Sequence, residues 1–270
     1  MDKSVLDFNV RLRTIRIRDL IIGVIVTIII SAILMVIFPE IADSDDLFFI
    51  TFLSVGLLLF IWALRGTTGF KKNIENIFED KNIKEILYVV IINILFASVL
   101  LFFISLLDYL VTIIDPTWIS IWNSESLDVN SNIFIFDAIG TLIFAPVVEE
   151  LIFRGVLFNR LKIRTGIIAS MIISSVLFAI GHDFGGITSA FLFGICMCIL
   201  YLKSDNILIP ITAHFLNNFI AMILEISNID LYIGQSAFIF PALLLSTLGG
   251  IFLIKYIIDE IRIIKQNHNP

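Results

Sequence analysis

Leu20 to Phe38 runs for 19 residues without a charge. As a helix such a run crosses the roughly 30 Å hydrocarbon core of a bilayer. It is too long for the apolar part of a cleaved leader and lacks a small-x-small exit, so it is predicted to stay as a helix. Seven further apolar runs follow: Leu47–Leu64, Ile86–Leu107, Ile133–Phe158, Gly166–His182, Ile187–Leu202, Ile207–Leu224 and Ile233–Ile254. Backbone polar groups in lipid must be satisfied within the segment, which leaves helices or closed barrels. Continuous apolar runs of this length select helices. The chain is therefore expected to be an all-α polytopic membrane protein, a bundle of about eight transmembrane helices. Only 16% of its 270 residues are charged, against about 25% in a soluble domain.

All 18 Lys and Arg fall on alternate connections. They precede the first run (Lys3, Arg11, Arg13, Arg16, Arg18) and lie between the second and third (Arg65, Lys71, Lys72, Lys81, Lys84). They recur from Arg154 to Arg164, at Lys203, and at Lys255, Arg262 and Lys265. The intervening connections are acidic. The positive-inside rule then places both termini in the cytoplasm of a cell-membrane protein, and the alternation requires an even number of spans. No basic face stands clear of the bilayer, so nucleic acid is not an expected partner.

No soluble domain fits between the runs, and no internal repeat is present. The sequence divides into N-terminal membrane helices (1–132), a core carrying the polar motifs (133–224) and a last helix with a cytoplasmic tail (225–270). Arg65–Glu85 is predicted to contain a short amphipathic interfacial helix, with Ile74, Ile77 and Phe78 on its apolar side. Trp118 and Trp122 in the next long connection resemble an interfacial anchor. Cys196 and Cys198, two apart on one apolar run, point to different faces and are expected to pack rather than bind metal.

The chemistry lies in the polar residues inside the apolar runs. Asp and Glu in lipid are costly and mark functional sites, and Glu149 and Glu150 are adjacent in FAPVVEELIFRG. Glu150 and Arg154 are one helical turn apart and can pair, the structural use of two charges in lipid. Glu149 points about 100° away from Glu150 and has no basic residue at i+3 or i+4, so its partner must come from another helix. His214 and Asn218 share a face of the seventh run, and His182 ends the fifth. A lone membrane histidine is often only an interhelical hydrogen-bond partner. Straight helices place Glu149 and His182 roughly 20–27 Å from the turn near Arg164, and Asn218 roughly 20 Å beyond the turn at Asp205. His214 lies one turn lower. The heights allow one cluster, with His182 and Asn218 level with Glu149. Asp183 could orient His182, and Asp137 is expected at a helix interface.

These residues fall in EELIFR, FAIGH and HFLNN. In that order they resemble the EExxxR, FxxxH and HxxxN motifs of the CAAX protease and bacteriocin-processing (Abi) family of intramembrane proteases. The resemblance extends over about Ile133 to Leu224. It implies an eight-helix bundle with a water-filled cavity, and a glutamate-dependent endopeptidase acting on a membrane-associated protein or peptide, lipidated ones included. Carried onto this chain, Glu149 and His182 would activate a water, and His214 and Asn218 would stabilise the oxyanion. Glu150 and Arg154 would hold the first motif in place. The chemistry is sound in itself: a carboxylate in an apolar setting is a competent general base near neutral pH. No Ser or Cys forms an evident nucleophile–base pair. No cofactor is expected on this reading. Two alternatives stay open: a zinc metalloprotease using Glu149, His182 and His214, and a non-catalytic bacteriocin-immunity or scaffold protein.

Overall fold

The protein is described by a computed structural model that covers residues 6–115, 134–182, 186–227 and 239–268. Trp118, Trp122 and Asp183 lie outside the described residues. Every described element is helical, apart from an isolated bridge between Asp7 and Thr68.

A short helix α1 (Phe8–Thr14) precedes α2 (Ile17–Ile37), the one-turn α3 (Pro39–Ala42) and α4 (Asp45–Ala63). Pro39 at the first helical position stops α2 and starts α3, as proline does where no amide donor is needed. Ser44 caps α4 by accepting from the Leu47 amide at 3.4 Å, with Asp45 and Asp46 in the first turn where the helix dipole favours them. The expected interfacial helix is α5 (Phe70–Ile77). It is followed by α6 (Asp80–Ile114), which continues past the predicted end at Leu107.

The run predicted as one regular span from Ile133 to Phe158 is not regular. It consists of α7 (Phe134–Ile139), a π-helical segment (Gly140–Phe144), α8 (Ala145–Glu150), a second π-helical segment (Leu151–Phe158) and α9 (Asn159–Thr165). Gly166, at φ +79°, reverses the chain into α10 (Ile167–Ile180). Then come α11 (Ile187–Ser204), α12 (Leu208–Ile226) and α13 (Ile239–His268). The last helix takes in the stretch expected to be a cytoplasmic tail.

The chain is an all-α membrane protein with several apolar helices. Among the described residues, four are long and apolar enough to cross a bilayer: Ile17–Ile37, Asp45–Ala63, Ile187–Ser204 and Leu208–Ile226. The apolar Ile167–Ile180 is shorter. That is fewer than the eight expected from hydropathy.

α11 sits at the centre. Its residues Phe193 to Tyr201 are buried without a break, the mark of a helix packed on all sides. Cys196 and Cys198 are free, fully buried and part of that packing. α13 lies against α6 through Gly249, where an added Cβ would come within 2.5 Å of Leu95 Cβ. At one end Lys203 of α11 donates to Glu85 of α6 at 2.5 Å and to Glu260 of α13 at 2.7 Å, tying the three helices. α2 lies outermost, with Ile21, Ile25, Ile28 and Ile29 all about half exposed.

α1 wedges under the motif segment. Leu12 is fully buried against Gly155 in the second π-helical segment. Asn9 accepts from the Ile207 amide at 3.0 Å, and Arg13 pairs with Asp205 and donates to the Tyr201 hydroxyl at 3.1 Å. A methyl group at position 155 would lie 2.6 Å from Leu12 Cδ2. Gly155→Ala is therefore expected to lower stability by about 1–3 kcal/mol through overpacking. Leu12→Ala in the same chain should restore part of it, in thermal unfolding of the purified protein. Additive losses would show that the two sites are not coupled.

Candidate active site

The three motifs meet around Phe178. This residue of α10 is 2% exposed. The Arg154 guanidinium lies over its ring at 4.3 Å, the His182 ring is 4.6 Å away and the His214 ring meets it edge-on at 5.6 Å. In sequence Phe178 is only a motif letter; in space it is the surface on which one residue from each motif rests.

The first motif begins in α8 and crosses into the second π-helical segment. π-bulges are rare and often accompany functional sites. Their irregular geometry frees backbone carbonyls that need donors, and side chains here supply them. Asn159 Nδ2 donates to the carbonyls of Arg154 at 2.9 Å and Gly155 at 2.8 Å, and Ser174 Oγ donates to that of Phe153 at 2.9 Å.

Glu150 and Arg154 pair as their spacing predicts, at 2.8 Å, and both side chains are fully buried. Arg154 Nη2 also donates to the Gly194 carbonyl of α11 at 3.2 Å. The close passage of Gly194 permits this, since an added Cβ would come within 3.0 Å of that nitrogen. Glu150 has a second partner that sequence spacing missed. Its Oε1 accepts from His214 Nδ1 at 3.0 Å. An acid paired with Arg154 acts as acceptor, so the His214 proton sits on Nδ1 and Nε2 faces the other glutamate.

Glu149 is the exposed member of the pair. Its side chain is 26% accessible against 0% for Glu150, and its Oε2 lies 3.9 Å from His214 Nε2. His182 and Arg154 also lie near enough to act on its charge. Straight-helix heights offer it His182 and Asn218; the structure brings His214, one turn lower, to 3.9 Å as well. Those heights assume 3.6-residue turns throughout, and the π-helical segments change both rise and facing along this stretch.

His182 lies just past the end of α10, with Nδ1 3.0 Å from the Phe178 carbonyl. A carbonyl only accepts, so Nδ1 carries the proton and Nε2 keeps its lone pair. Asn218 donates through Nδ2 to the Thr141 carbonyl in the first π-helical segment at 3.0 Å, which leaves its second amide hydrogen. Thr141 itself donates to Asp137 at 3.1 Å, placing Asp137 in an intrahelical bond. Asn93 of α6, 2% exposed, donates to Asn217 beside Asn218 at 2.9 Å. Neither Asn93 nor Thr141 was picked out from the sequence. Their partners lie more than seventy residues away, and no local spacing signals such pairs.

A zinc site needs three or four donors at about 2.0–2.3 Å from one point. Among the described residues, no group of three His, Cys, Asp or Glu side chains is arranged to hold an ion.

Residues 131–220 match the family model described as Rce1-like, "Type II CAAX prenyl endopeptidase Rce1-like". Over 112 residues the chain is 30% identical to "Putative membrane peptidase YdiL" of Bacillus subtilis (strain 168). That alignment spans 41% of this chain and 44% of the relative, so less than half of either protein is covered. No solved structure matches. The motif-bearing part of the chain is thus homologous to Rce1-like membrane peptidases.

Proposed function

We propose that the chain is an intramembrane endopeptidase that hydrolyses a peptide bond with a water activated by Glu149 and His182. The observation that carries this reading is the division of the two glutamates. Glu150 is sealed and charge-paired, while Glu149 is partly accessible and has His214 Nε2 3.9 Å from its carboxylate. The homology of residues 131–220 supports it.

In the proposed reaction a water lies between the Glu149 carboxylate and His182 Nε2. Glu149 takes its proton as the oxygen attacks the scissile carbonyl. The negative charge that develops on the carbonyl oxygen meets the free amide hydrogen of Asn218 and, when His214 carries a hydrogen on both ring nitrogens, the Nε2 hydrogen of that imidazolium. Donors aimed at such an oxygen contribute about 3–4 kcal/mol each when they act in a site closed to bulk water. The proton held by Glu149 then passes to the leaving amine, which restores the carboxylate. Phe178 and the Glu150–Arg154 pair hold the three motif helices in register.

The expected substrate is a membrane-associated protein or peptide, and the lipidated class named in the matching family is the first to try. The proposed topology has both termini in the cytoplasm and eight spans in the cell membrane, which the alternation of basic connections supports, with residues 133–224 as the proposed catalytic core. The reading is metal-free, and the alternative is zinc held by Glu149, His182 and His214. Cleavage of a membrane-anchored reporter by the purified protein is expected to survive metal-free preparation and strong chelation. Activity lost on chelation and restored by zinc would defeat it. A cellular phenotype that persists unchanged in both Glu149→Gln and His182→Ala would instead favour the non-catalytic immunity or scaffold reading.

A further inference from the structure

A cavity of about 460 Å³ lies between α2 and α4, behind the motif segment. Its walls include Ile22, Val26, Phe52 and Leu59, and its floor is Val148 and Ile152, the residues that bracket the two glutamates and Leu151. Its volume is in the range of about 300–1,000 Å³ typical of small-molecule sites. The cavity is almost wholly apolar. The hydroxyl of Thr27, one of its few polar atoms, is spent on the Gly23 carbonyl at 2.9 Å. An apolar cavity of this kind takes an apolar occupant in preference to water. Neither catalysis nor the hydrogen-bond network of the motifs uses it.

One rim of the cavity is different. Ala63, Asp19 and Trp62 line it there, and each carries a guanidinium. Arg11 Nε donates to the Ala63 carbonyl at 3.3 Å, Arg18 pairs with Asp19 at 3.2 Å, and the Arg65 guanidinium lies 5.0 Å over the Trp62 ring. All three arginines are exposed. They meet where α2 begins and α4 ends, so they belong to one side of the membrane. Three guanidiniums against the single carboxylate of Asp19 leave an excess of positive charge above an apolar slot.

From this juxtaposition we infer that the α2–α4 cavity binds one anionic membrane phospholipid, with an acyl chain in the slot and the phosphate on the arginine rim. Arginine suits a phosphate because its planar donors meet phosphate oxygens in pairs. Basic clusters at the ends of membrane helices attract anionic headgroups. The bound chain would press on Val148 and Ile152, behind the segment that carries Glu149. The inference does not depend on the proposed hydrolysis and can be tested without it.

The test uses the full-length protein purified in a neutral detergent. Thermal unfolding and native mass spectrometry are run with dioleoylphosphatidylglycerol, with dioleoylphosphatidylcholine and with inorganic phosphate alone. Phosphatidylglycerol is expected to raise Tm by on the order of 5 °C and to remain bound as a single molecule. Phosphatidylcholine should give a clearly smaller shift, and phosphate none. Equal shifts from the two lipids would overturn the rim, and a shift from phosphate alone would overturn the acyl slot. Two kinds of variant separate the parts. An Arg11→Gln, Arg18→Gln, Arg65→Gln variant should lose the preference for phosphatidylglycerol. Gly23→Leu, at a position where an added Cβ meets nothing within 4 Å, should fill the slot and abolish the bound lipid. If Gly23→Leu does not fold, Gly56→Leu probes the same slot, because its Cβ would meet Val148 at an ordinary 3.6 Å. Full retention of the phosphatidylglycerol shift in the charge and cavity variants overturns the inference.

Discussion

Glu149→Gln is expected to lower cleavage of a membrane-anchored reporter by about 10²–10⁴-fold, the usual contribution of a positioned acid–base group. Gln keeps the shape and hydrogen-bonding capacity of the side chain but cannot take the proton of an attacking water. Stability should hardly change. The Glu149 side chain is 26% exposed, and among the described residues its ion-pair contact is the 3.9 Å approach to His214. The pairing of a large rate loss with an unchanged Tm separates a catalytic role from a structural one. Glu150→Gln provides the contrast. It weakens a fully buried pair with Arg154, so it should lower activity and Tm together. Wild-type cleavage by a folded Glu149→Gln protein would end the assignment.

Arg154→Met is expected to cost about 3–5 kcal/mol, the typical penalty for leaving one member of a buried ion pair uncompensated. In a chain of this size that is a fall in Tm on the order of 10 °C. Three contacts disappear at once: the 2.8 Å bond to Glu150, the 3.2 Å bond to the Gly194 carbonyl and the stacking on Phe178. Adding Glu150→Gln removes the stranded carboxylate and should recover much of the stability, because a buried pair replaced on both sides is often nearly neutral. Arg154→Lys should fall between, since an ammonium does not reproduce the planar two-way contact. Thermal unfolding of the four proteins checks the order. A double variant as unstable as Arg154→Met alone would show that the cost lies in lost packing on Phe178 rather than in the stranded charge.

The parts of this site that could be read along the chain are those set by local geometry. Glu150 and Arg154 pair because four residues make one helical turn. The amphipathic α5 follows from Ile74 and Ile77, three residues apart on one face, among Lys71, Lys72 and Glu75. The helical, membrane character follows from apolar runs too long and too continuous for anything else in lipid. Three short motifs in order were enough to indicate a peptidase-like core, and the homology of residues 131–220 agrees.

What could not be read depends on how helices rotate against one another. Hydropathy predicted eight spans, yet the run from Ile133 holds two π-helical segments that no composition signals. In the folded chain His214, one turn below Asn218, lies 3.9 Å from Glu149. The first π-helical segment presents the Thr141 carbonyl to Asn218. Asn93 reaches Asn217 from a helix outside the resemblance altogether.

By itself the sequence determined an all-α membrane chain, its polar motif residues and one charge pair, since these rest on periodicity within a single segment. Only the tertiary structure decided which glutamate is sealed and which is open, and which nitrogen of each histidine is left for chemistry. Those outcomes depend on contacts between helices, where a rotation of one residue step carries a side chain from lipid or core into the site.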